Sequence, residues 1–355
     1  MTLRPGSGQG FPSLLPRNQQ IAMRHGGGGR AMRLLIEEVF MRGASDLPVD
    51  GVGLAAMDDG AAIRIGDQFL IVTTDSHVIH PLFFPGGDIG RLSICGTVND
   101  LAMMGATKLL GLTCAVILEE GLSREVLERV QESMQAACRE VGVPIVTGDT
   151  KVMGKGELDA LVINTTGVAL APRVVRDNGL RVGDRIIVTG TVGDHGLAVM
   201  ATRNKLQLGG KLESDVAPLF DLVQRVLAVG GDAVVAMKDP TRGGVASALH
   251  EMAGKAGVGV LVSEGDVPVS EAARAASELL GIDPLHVANE GKALIGVRPE
   301  AAQRVLAAIR EHPLGRHAAI IGTAIAEPKG KLVLDTGFGR RLLAEPEGEP
   351  LPRIC

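Results

Sequence analysis

Apolar positions in the first half of the chain alternate between the spacing of helices and that of strands. Positions 32, 35, 36, 39 and 40 recur at helical spacing, and 61–65 with 68–74 predict two strands around a Gly66-Asp67 turn. A helix is predicted for 88–106, and Ser123 caps another. Strands are predicted at 109–118, 143–147 and 159–169, the second of them short, buried and ending at Gly148-Asp149. This alternation indicates an α/β half.

The second half repeats the same alternation after a polar crossing at 171–184. Strands are predicted at 185–189, 258–262, 293–297, 320–325 and 332–334. Helices are predicted from about 195, over 214–229, after the loop 239–244, and over 271–280 and 299–311. We therefore predict a flexible extension over 1–24, domains over 25–170 and 171–344, and a mobile tail over 345–355.

Composition narrows the function classes. The 355 residues suffice for two domains with cores of their own, and a 45% apolar content is typical of a globular protein. A net charge of -5, 2% aromatic residues and the absence of Trp and Tyr argue against nucleic-acid binding. We expect no membrane span and no secretory signal, since neither apolar segment is present.

The four cysteines, Cys95, Cys114, Cys138 and Cys355, contain no CxxC pair, so metal knuckles and a disulfide framework are not expected. Reduced cysteines fit a cytoplasmic protein. Cys355 is the last residue and follows a polar, proline-rich tail. Taken alone, such a thiol is more often a disordered end than a functional group. The alternative is a tethered thiol that carries a substrate.

Acidic residues mark the ends of several predicted elements. Asp58-Asp59, Asp75, Asp149 and Asp239 lie at such ends, and Asp100 follows Asn99 inside an apolar helix. An unpaired carboxylate is costly in such surroundings. Any one aspartate is more simply a cap or a turn residue. As a set, these carboxylates predict a Mg²⁺ site used with substrate phosphates.

Three further features are candidates for chemistry. The run Gly26, Gly27, Gly28 and Gly29 precedes a helix and could bind phosphate through backbone N–H groups, although a flexible loop explains it equally well. Lys151 could face a phosphate, and Glu290 could act as a base. For both, exposure on the surface is the simpler alternative. The histidines show no metal-ligand spacing, and His250 is the one of interest because it follows the Gly243-Gly244 loop by one helix face.

The motifs taken together resemble the HypE family of hydrogenase maturation proteins, carbamoyl dehydratases of the aminoimidazole-ribonucleotide-synthetase-like superfamily. The resemblance extends from about residue 25 to the end. It rests on 73–79, 81–90, 96–106, 238–244, Asn289-Glu290-Gly291 and the terminal Pro352-Arg353-Ile354-Cys355. It implies a two-domain α/β fold (α+β in some descriptions), with an N-terminal domain that dimerises by pairing sheets and a C-terminal α/β domain packed against it.

The resemblance also implies a reaction. A carbamoyl group from the carbamoyltransferase HypF is placed on the Cys355 sulfur, ATP phosphorylates its oxygen, and loss of phosphate leaves a thiocyanate. The cyano group then passes to iron at the HypC–HypD complex for [NiFe] hydrogenase. Glu290 would be the base and Lys151 would stabilise developing charge. Nucleotide is expected at Gly26, Gly27, Gly28, Gly29, Asp58, Asp59, Asp75, Asn99, Asp149 and Asp239, and Mg²⁺ at Asp58, Asp59, Asp75, Asp100 and Asp239.

Two alternatives remain at this point. One is another ATP-dependent enzyme of the superfamily, such as a selenophosphate synthetase or a thiamine-monophosphate kinase, which needs no terminal thiol. The other is a carrier or scaffold that holds a thiol-bound group without catalysing a reaction. The collection of carboxylates argues against a pure scaffold.

Overall fold

The computed structural model describes residues 20–41, 49–206, 210–347 and 354–355. The predicted extension (apart from residues 20–24) and residues 348–353 of the predicted tail lie outside this part. The described helices are α1 (Gly29–Leu35), α2 (Ile89–Met103), α3 (Arg124–Val141), α4 (Asp194–Arg203), α5 (Phe220–Gly230), α6 (Gly244–Ala256), α7 (Glu271–Leu280) and α8 (Pro299–Arg310).

The described strands fall into two large sheets and one small hairpin. They are β1 (Gly51–Val52), β2 (Ala61–Ile65), β3 (Gln68–His77), β4 (Phe83–Phe84), β5 (Gly87–Asp88), β6 (Lys108–Glu119), β7 (Ile145–Met153), β8 (Leu161–Ala171), β9 (Arg185–Val188), β10 (Val234–Lys238), β11 (Gly259–Ser263), β12 (Leu294–Val297), β13 (Ala319–Ile325), β14 (Leu332–Asp335) and β15 (Arg340–Leu343).

The first sheet has the strand order β1-β2-β3-β8-β6-β7, and α2 and α3 pack beside it. Its strand pairs are antiparallel except for β6 and β7. Helix α2 is buried along nearly all its length because it packs on β3 and β8, on α3 and on α5 of the other domain. Asp88 caps it, since its Oδ1 accepts hydrogen bonds from the N–H groups of Gly90 (2.8 Å) and Arg91 (3.1 Å).

The second sheet has the order β10-β12-β9-β13-β11-β14-β15 and carries helices on both faces. Successive strand residues point to opposite faces. Accordingly, Ile186 belongs to the core that contains Leu249 of α6, whereas Ile187 belongs to the core that contains Val305 of α8. The fold is the predicted two-domain α/β arrangement. Among the described residues, no helix is long and apolar enough to cross a membrane.

Strands β1, β4, β5, β10 and β15 were not predicted from the sequence, and three of the predicted elements differ from their prediction. Strand β7 is longer than predicted, runs past Asp149 to Met153 and is largely exposed, because it forms the edge of its sheet. Helix α5 begins at Phe220 and not near 214, because Asn99 Oδ1 accepts a hydrogen bond from the Leu219 N–H (2.7 Å) and holds the preceding segment outside the helix. The helical spacing at positions 32–40 continues past α1 as a π-helical turn, Ile36–Phe40, in which Val39 and Phe40 are exposed.

Candidate active site

A cavity of about 460 Å³ lies between the two domains. The first domain contributes the loop before β2, strand β3 and helix α2. The second domain contributes the loop between β10 and α6 and the segment before β12. The lining residues used below are Gly28, Gly29, Asp58, Asp59, Asp75, Asp100, Lys238, Asp239, Arg242, Glu290 and Cys355. The cavity therefore brings together the terminal thiol and most of the carboxylates predicted from the sequence.

Five of these side chains form what we call the acid cluster: Asp59, Asp75, Asp100, Asp239 and Glu290. Burial, and then the nearby charge of Asp239, raises the pKa of both Asp100 and Glu290 well above the usual carboxyl range. Burial followed by the charge of Asp59 raises the pKa of Asp239 to about 8. The carboxylates thus repel one another in a place where water screens them poorly, and a cation would relieve this repulsion.

The acid cluster suits Mg²⁺ bound together with phosphates. Within the described ranges, no group of three His, Cys, Asp or Glu side chains lies at the spacing of a complete metal cage. However, Asp59 Oδ2 and Glu290 Oε1 are buried and accept no hydrogen bond from the described residues. Magnesium usually takes one or two carboxylates and completes its shell with water and phosphate oxygens. The donor set fits that mode of binding.

The two acids of the Asp58-Asp59 pair have different partners. Asp58 receives hydrogen bonds from Arg176 Nε (3.1 Å) and from the backbone N–H of Asp177 (3.2 Å), so its carboxylate ties the loop to the domain crossing. Asp59 pairs with Lys238 and keeps Oδ2 available. Of the two predicted metal ligands, the geometry therefore favours Asp59, because the Asp58 carboxylate is already bound to Arg176 and to the Asp177 N–H.

Lys238 and Arg242 give the cavity its positive side. Burial opposes the charge of Lys238, but Asp59, Glu251 and Asp177 outweigh it and raise the pKa of its ammonium group well above the usual value. Neither cation was assigned a role from the sequence, although both lie in the 238–244 motif. The motif contains both residues, but the sequence does not reveal that Lys238 is buried at the end of β10 or that Arg242 lines the same cavity.

Asn99 does not reach the cavity. Its Nδ2 group donates to the backbone oxygens of Ala217 (3.1 Å) and Glu290 (3.3 Å). Successive residues of a helix point about 100° apart, so Asp100 faces the cavity while Asn99 faces the second domain. Asn99 is expected at the nucleotide site, but it is not among the residues that line this cavity, and its side chain holds the segment that carries Glu290.

Asp149 and Lys151 also lie away from this chain's own cavity. Both are exposed on β7, where Lys151 Nζ lies 3.0 Å from Asp149 Oδ2. The hydrogen bond from Lys151 lowers the pKa of Asp149. Residues of an edge strand can reach a site only when another strand or another chain lies beside them.

Only part of the run Gly26 to Gly29 lies at the cavity. Gly28 and Gly29 line the cavity, with φ angles of 75° and 67°, whereas Gly26 and Gly27 do not line it. A Cβ on Gly28 would lie 2.7 Å from the Arg242 carbonyl oxygen, so this position requires glycine. The expected phosphate nest is altered, because the Arg30 and Ala31 N–H groups donate to the tail oxygens of Pro346 (3.0 Å) and Glu347 (3.1 Å).

The end of the chain is docked at the cavity. A carboxylate oxygen of Cys355 accepts a hydrogen bond from the Val78 N–H (3.1 Å), and His195 Nε2 lies 2.8 Å from the Ile354 oxygen. None of the four cysteines forms a disulfide with another described residue, and Cys95, Cys114 and Cys138 are buried. His195 was not singled out from the sequence. His250 was, but its Nε2 contacts the Leu343 oxygen (2.9 Å) and supports β15.

Comparison with known proteins places this geometry in a family. Residues 57–171 match the N-terminal domain of AIR synthase related protein, and residues 181–335 match its C-terminal domain. The chain is 46% identical over 347 residues to the carbamoyl dehydratase HypE of Bradyrhizobium diazoefficiens, which covers 96% of this chain and 97% of that protein.

Two solved structures are similar over most of their length. A HypE in complex with ATP has a TM-score of 0.78 and 41% identity, and the match covers 95% of this chain and 100% of that one. A chain of a HypE–HypF complex has a TM-score of 0.81 and 42% identity, with 88% and 99% covered.

Proposed function

Because this chain belongs to the HypE family of carbamoyl dehydratases, it catalyses the ATP-dependent dehydration step of hydrogenase maturation, and we propose that Cys355 carries the group that is dehydrated. In this proposal, HypF places a carbamoyl group on the Cys355 sulfur, and the product is a thiocyanate on the same sulfur. The single observation that carries the proposal is the position of Cys355 in the wall of the cavity that holds the acid cluster.

ATP and Mg²⁺ are proposed to bind in this cavity. Met32, Ile36, Leu54 and Met57 supply an apolar wall on which an adenine base could lie. The acid cluster and Lys238 lie elsewhere on the lining, where triphosphate and Mg²⁺ would compensate one another's charge. Mg²⁺ would link Asp59, Asp100 or Asp239 to phosphate oxygens and neutralise charge there.

The chemistry requires a leaving group and a base. An amide oxygen leaves poorly, and transfer of a phosphoryl group from ATP to that oxygen converts it into phosphate. The C–O bond then breaks, both N–H protons are lost, and a C≡N bond forms, so the balance is thiocarboxamide plus ATP to thiocyanate, ADP and phosphate. Glu290 is the proposed proton acceptor. Its Oε1 lacks a hydrogen-bond donor in the described chain. Burial, and then the charge of Asp239, raises the pKa of Glu290, which makes its carboxylate a stronger base.

The exposed edge of β7 is proposed to pair with a second copy of the chain. Val146, Val152 and Met153 are exposed apolar residues along this edge, which is the kind of strand that proteins normally cover. A homodimer formed there would bring Lys151 and Asp149 next to a cavity of the other copy. Lys151 would then stabilise charge on the transferring phosphoryl group of its partner's site.

The carrier role is tested by mass. Purified chain is loaded with HypF, carbamoyl phosphate and ATP, freed of nucleotide, and then given ATP and Mg²⁺. We expect a carbamoyl adduct on the C-terminal peptide that loses one water in the second step. Cys355→Ala should give no adduct, and Glu290→Gln should keep the adduct without losing water. An adduct on any other residue, or no loss of water from loaded wild-type chain, would refute the proposal.

The shared site is tested by mixing two inactive variants. A Lys151→Ala chain and a Glu290→Gln chain are unfolded, mixed and refolded together. If Lys151 acts in its partner's site, about a quarter of the sites combine both intact residues, because half the dimers are mixed and each has one such site. If Lys151 acts within its own chain, mixing restores no activity.

Delivery of the cyano group to iron at a HypC–HypD complex is the proposed next step. A thiocyanate on a terminal residue is chemically suited to transfer, because the tail that carries it can be presented to another protein. The reduced cysteines fit the cytoplasm as the compartment.

A further inference from the structure

The last two residues of the chain occupy a specific binding site on its own body, which we call the tail dock. Ile354 is 1% exposed and packs against Ala288, with Met200 and Ile282 beside them. The residue next to the thiol is therefore buried like a core side chain, although the tail before it is polar. Burial of an isoleucine in an apolar site is strongly stabilising.

A hydrogen-bonded relay fixes the backbone of the docked tail. His195 is fully buried, its Nε2 lies 2.8 Å from the Ile354 oxygen, and its Nδ1 lies 2.7 Å from Ser214 Oγ. Burial lowers the pKa of His195, so the ring is neutral at pH 7. Nε2–H then donates to the Ile354 carbonyl and Nδ1 accepts from the Ser214 hydroxyl, whose oxygen accepts the Val216 N–H (3.1 Å).

The same turn of α4 also holds the segment that carries Glu290. The Gly196 N–H donates to the Ala288 oxygen (3.2 Å), and the Gly193 N–H donates to Asn289 Oδ1 (2.7 Å). Ala288 is thus bound to α4 on one side and to Ile354 on the other. Because Glu290 and Cys355 follow these two contacting residues closely in the chain, the turn sets the position of the thiol relative to the carboxylate.

A second attachment holds the base of the tail. Arg33 donates two hydrogen bonds from Nη2 to the Glu345 carboxylate (2.8 and 3.0 Å), and the α1 N–H groups bind the oxygens of Pro346 and Glu347. Residues 348–355 lie beyond this attachment and could reach about 26 Å when extended. The thiol can therefore leave the dock for another protein's site while the base of the tail stays bound.

We propose that His195, oriented by Ser214, is a positioning residue that locks Ile354 into the tail dock and thereby sets the Cys355 sulfur beside Glu290 for dehydration. The proposal rests on the proposed carrier role of Cys355. It separates two steps: loading by a partner needs the released tail, and dehydration needs the docked tail. Loss of the His195 contact should therefore slow the second step without slowing the first.

The test compares three full-length variants. His195→Leu removes the donor and keeps an apolar side chain of similar volume. His195→Gln keeps a donor near the position of Nε2. Ile354→Ala weakens the dock from the tail side, one residue from the chain end, where it cannot disturb folding of the body. Two rates are measured. The first is alkylation of Cys355 by iodoacetamide, followed by intact mass, with Cys355→Ala as the control. The second is loss of water from the loaded chain in a single turnover.

We expect His195→Leu to shift the tail about tenfold from docked to released, which is the effect of one missing hydrogen bond with its acceptor left buried. Alkylation becomes faster and loss of water slower, and the two factors multiply to about tenfold. Ile354→Ala should change both rates in the same directions, because it removes the apolar contact with Ala288. His195→Gln should behave like wild type, and loading by HypF should be no slower than wild type in all three. A merely structural role would lower the melting temperature without changing the alkylation rate.

Three results would overturn the inference: wild-type alkylation rates in both His195→Leu and Ile354→Ala, slower water loss with unchanged alkylation, or a His195→Gln variant as impaired as His195→Leu. If His195→Leu fails to fold, Ile354→Ala alone carries the same comparison. Failure of wild-type chain to lose water would refute the proposed carrier chemistry, and the alkylation rates would still report on the dock.

Discussion

Replacing Asp239 by Asn should stabilise the chain in the absence of nucleotide and Mg²⁺. Asp239 is 7% exposed, and burial together with the charge of Asp59 raises its pKa to about 8. Asparagine has nearly the same shape, so the substitution removes the titrating group and little else. Asp239, which the proposed function needs, thus destabilises the folded chain when no ligand is bound.

The size of the effect follows from proton binding. In the unfolded chain an aspartate has a pKa of about 3.9, so at pH 7 it is ionised there, while Asp239 in the folded chain binds a proton. The folded state binds more protons, and stability therefore falls as pH rises from about 4 to about 8. About three pH units at about 1.36 kcal/mol each give up to about 4 kcal/mol at pH 7.

The assay is urea unfolding followed by circular dichroism, since the chain has no Trp or Tyr to report by fluorescence. We expect Asp239→Asn to match wild type near about pH 4 and to gain stability steadily up to about pH 8. The control is Asp232→Asn, because the Asp232 side chain is 99% exposed and should show no such trend. A stability difference that does not change with pH, or one that favours wild type at high pH, would refute this account of the acid cluster.

Mg²⁺ with a non-hydrolysable ATP analogue adds a second comparison. A cation that binds the acid cluster compensates its repulsion, so ligand should raise the melting temperature of wild type more than that of Asp239→Asn. Equal increases in the two proteins would mean that Asp239 does not interact with the bound cation or phosphates.

Three further predictions concern the cavity rim and the tail. Both Gly28 and Gly156 have positive φ, but an added Cβ would meet backbone only at position 28. Gly28→Ala should therefore lower the free energy of unfolding by more than the roughly 1 kcal/mol expected for Gly156→Ala, and it should weaken ATP binding. Calorimetry with the nucleotide compares the two variants. Residues added after Cys355 should slow dehydration of the loaded chain at least as much as Ile354→Ala does, since the terminal carboxylate is bound in the dock; an N-terminally tagged chain is the control. Glu345→Gln removes one of the two carboxylates paired with Arg33 and should change the free energy of unfolding by less than about 1 kcal/mol, while trypsin cleaves the tail faster.

Local patterns predicted most of the fold because they report on burial and on turns. The alternation along β3 and β8 and the apolar run of α2 correspond to elements with one or more covered faces. The pattern of apolar and polar residues gave wrong bounds or wrong burial where contacts with distant parts of the chain decide the structure. Strand β7 has an apolar sequence but lies at a sheet edge, and the start of α5 is set by Asn99, more than a hundred residues earlier in the chain.

The candidate site was predicted less evenly, for a related reason. Sequence indicated which residue types are present, and the geometry decides which of them share a cavity. Asp59, Asp75, Asp100, Asp239, Glu290 and Cys355 converge, whereas Asp149 and Lys151 lie on an exposed edge. The histidine that contacts the tail was overlooked because its partners are a backbone carbonyl and a serine hydroxyl, which leave no spacing in the sequence.

The adjacent residues Asn99 and Asp100 show why two neighbours in a motif need not share a role. Asp100 faces the acid cluster, and Asn99 faces the other domain and holds the backbone of Glu290 and the start of α5. Helix α2 therefore carries a proposed ligand of the cation and, one residue earlier, the support of the proposed base. Since α4 holds the same Glu290 segment together with Ile354, any shift of α2 against the second domain changes the position of the base relative to both the cation and the thiol. The packing of the two domains is in this sense part of the active site.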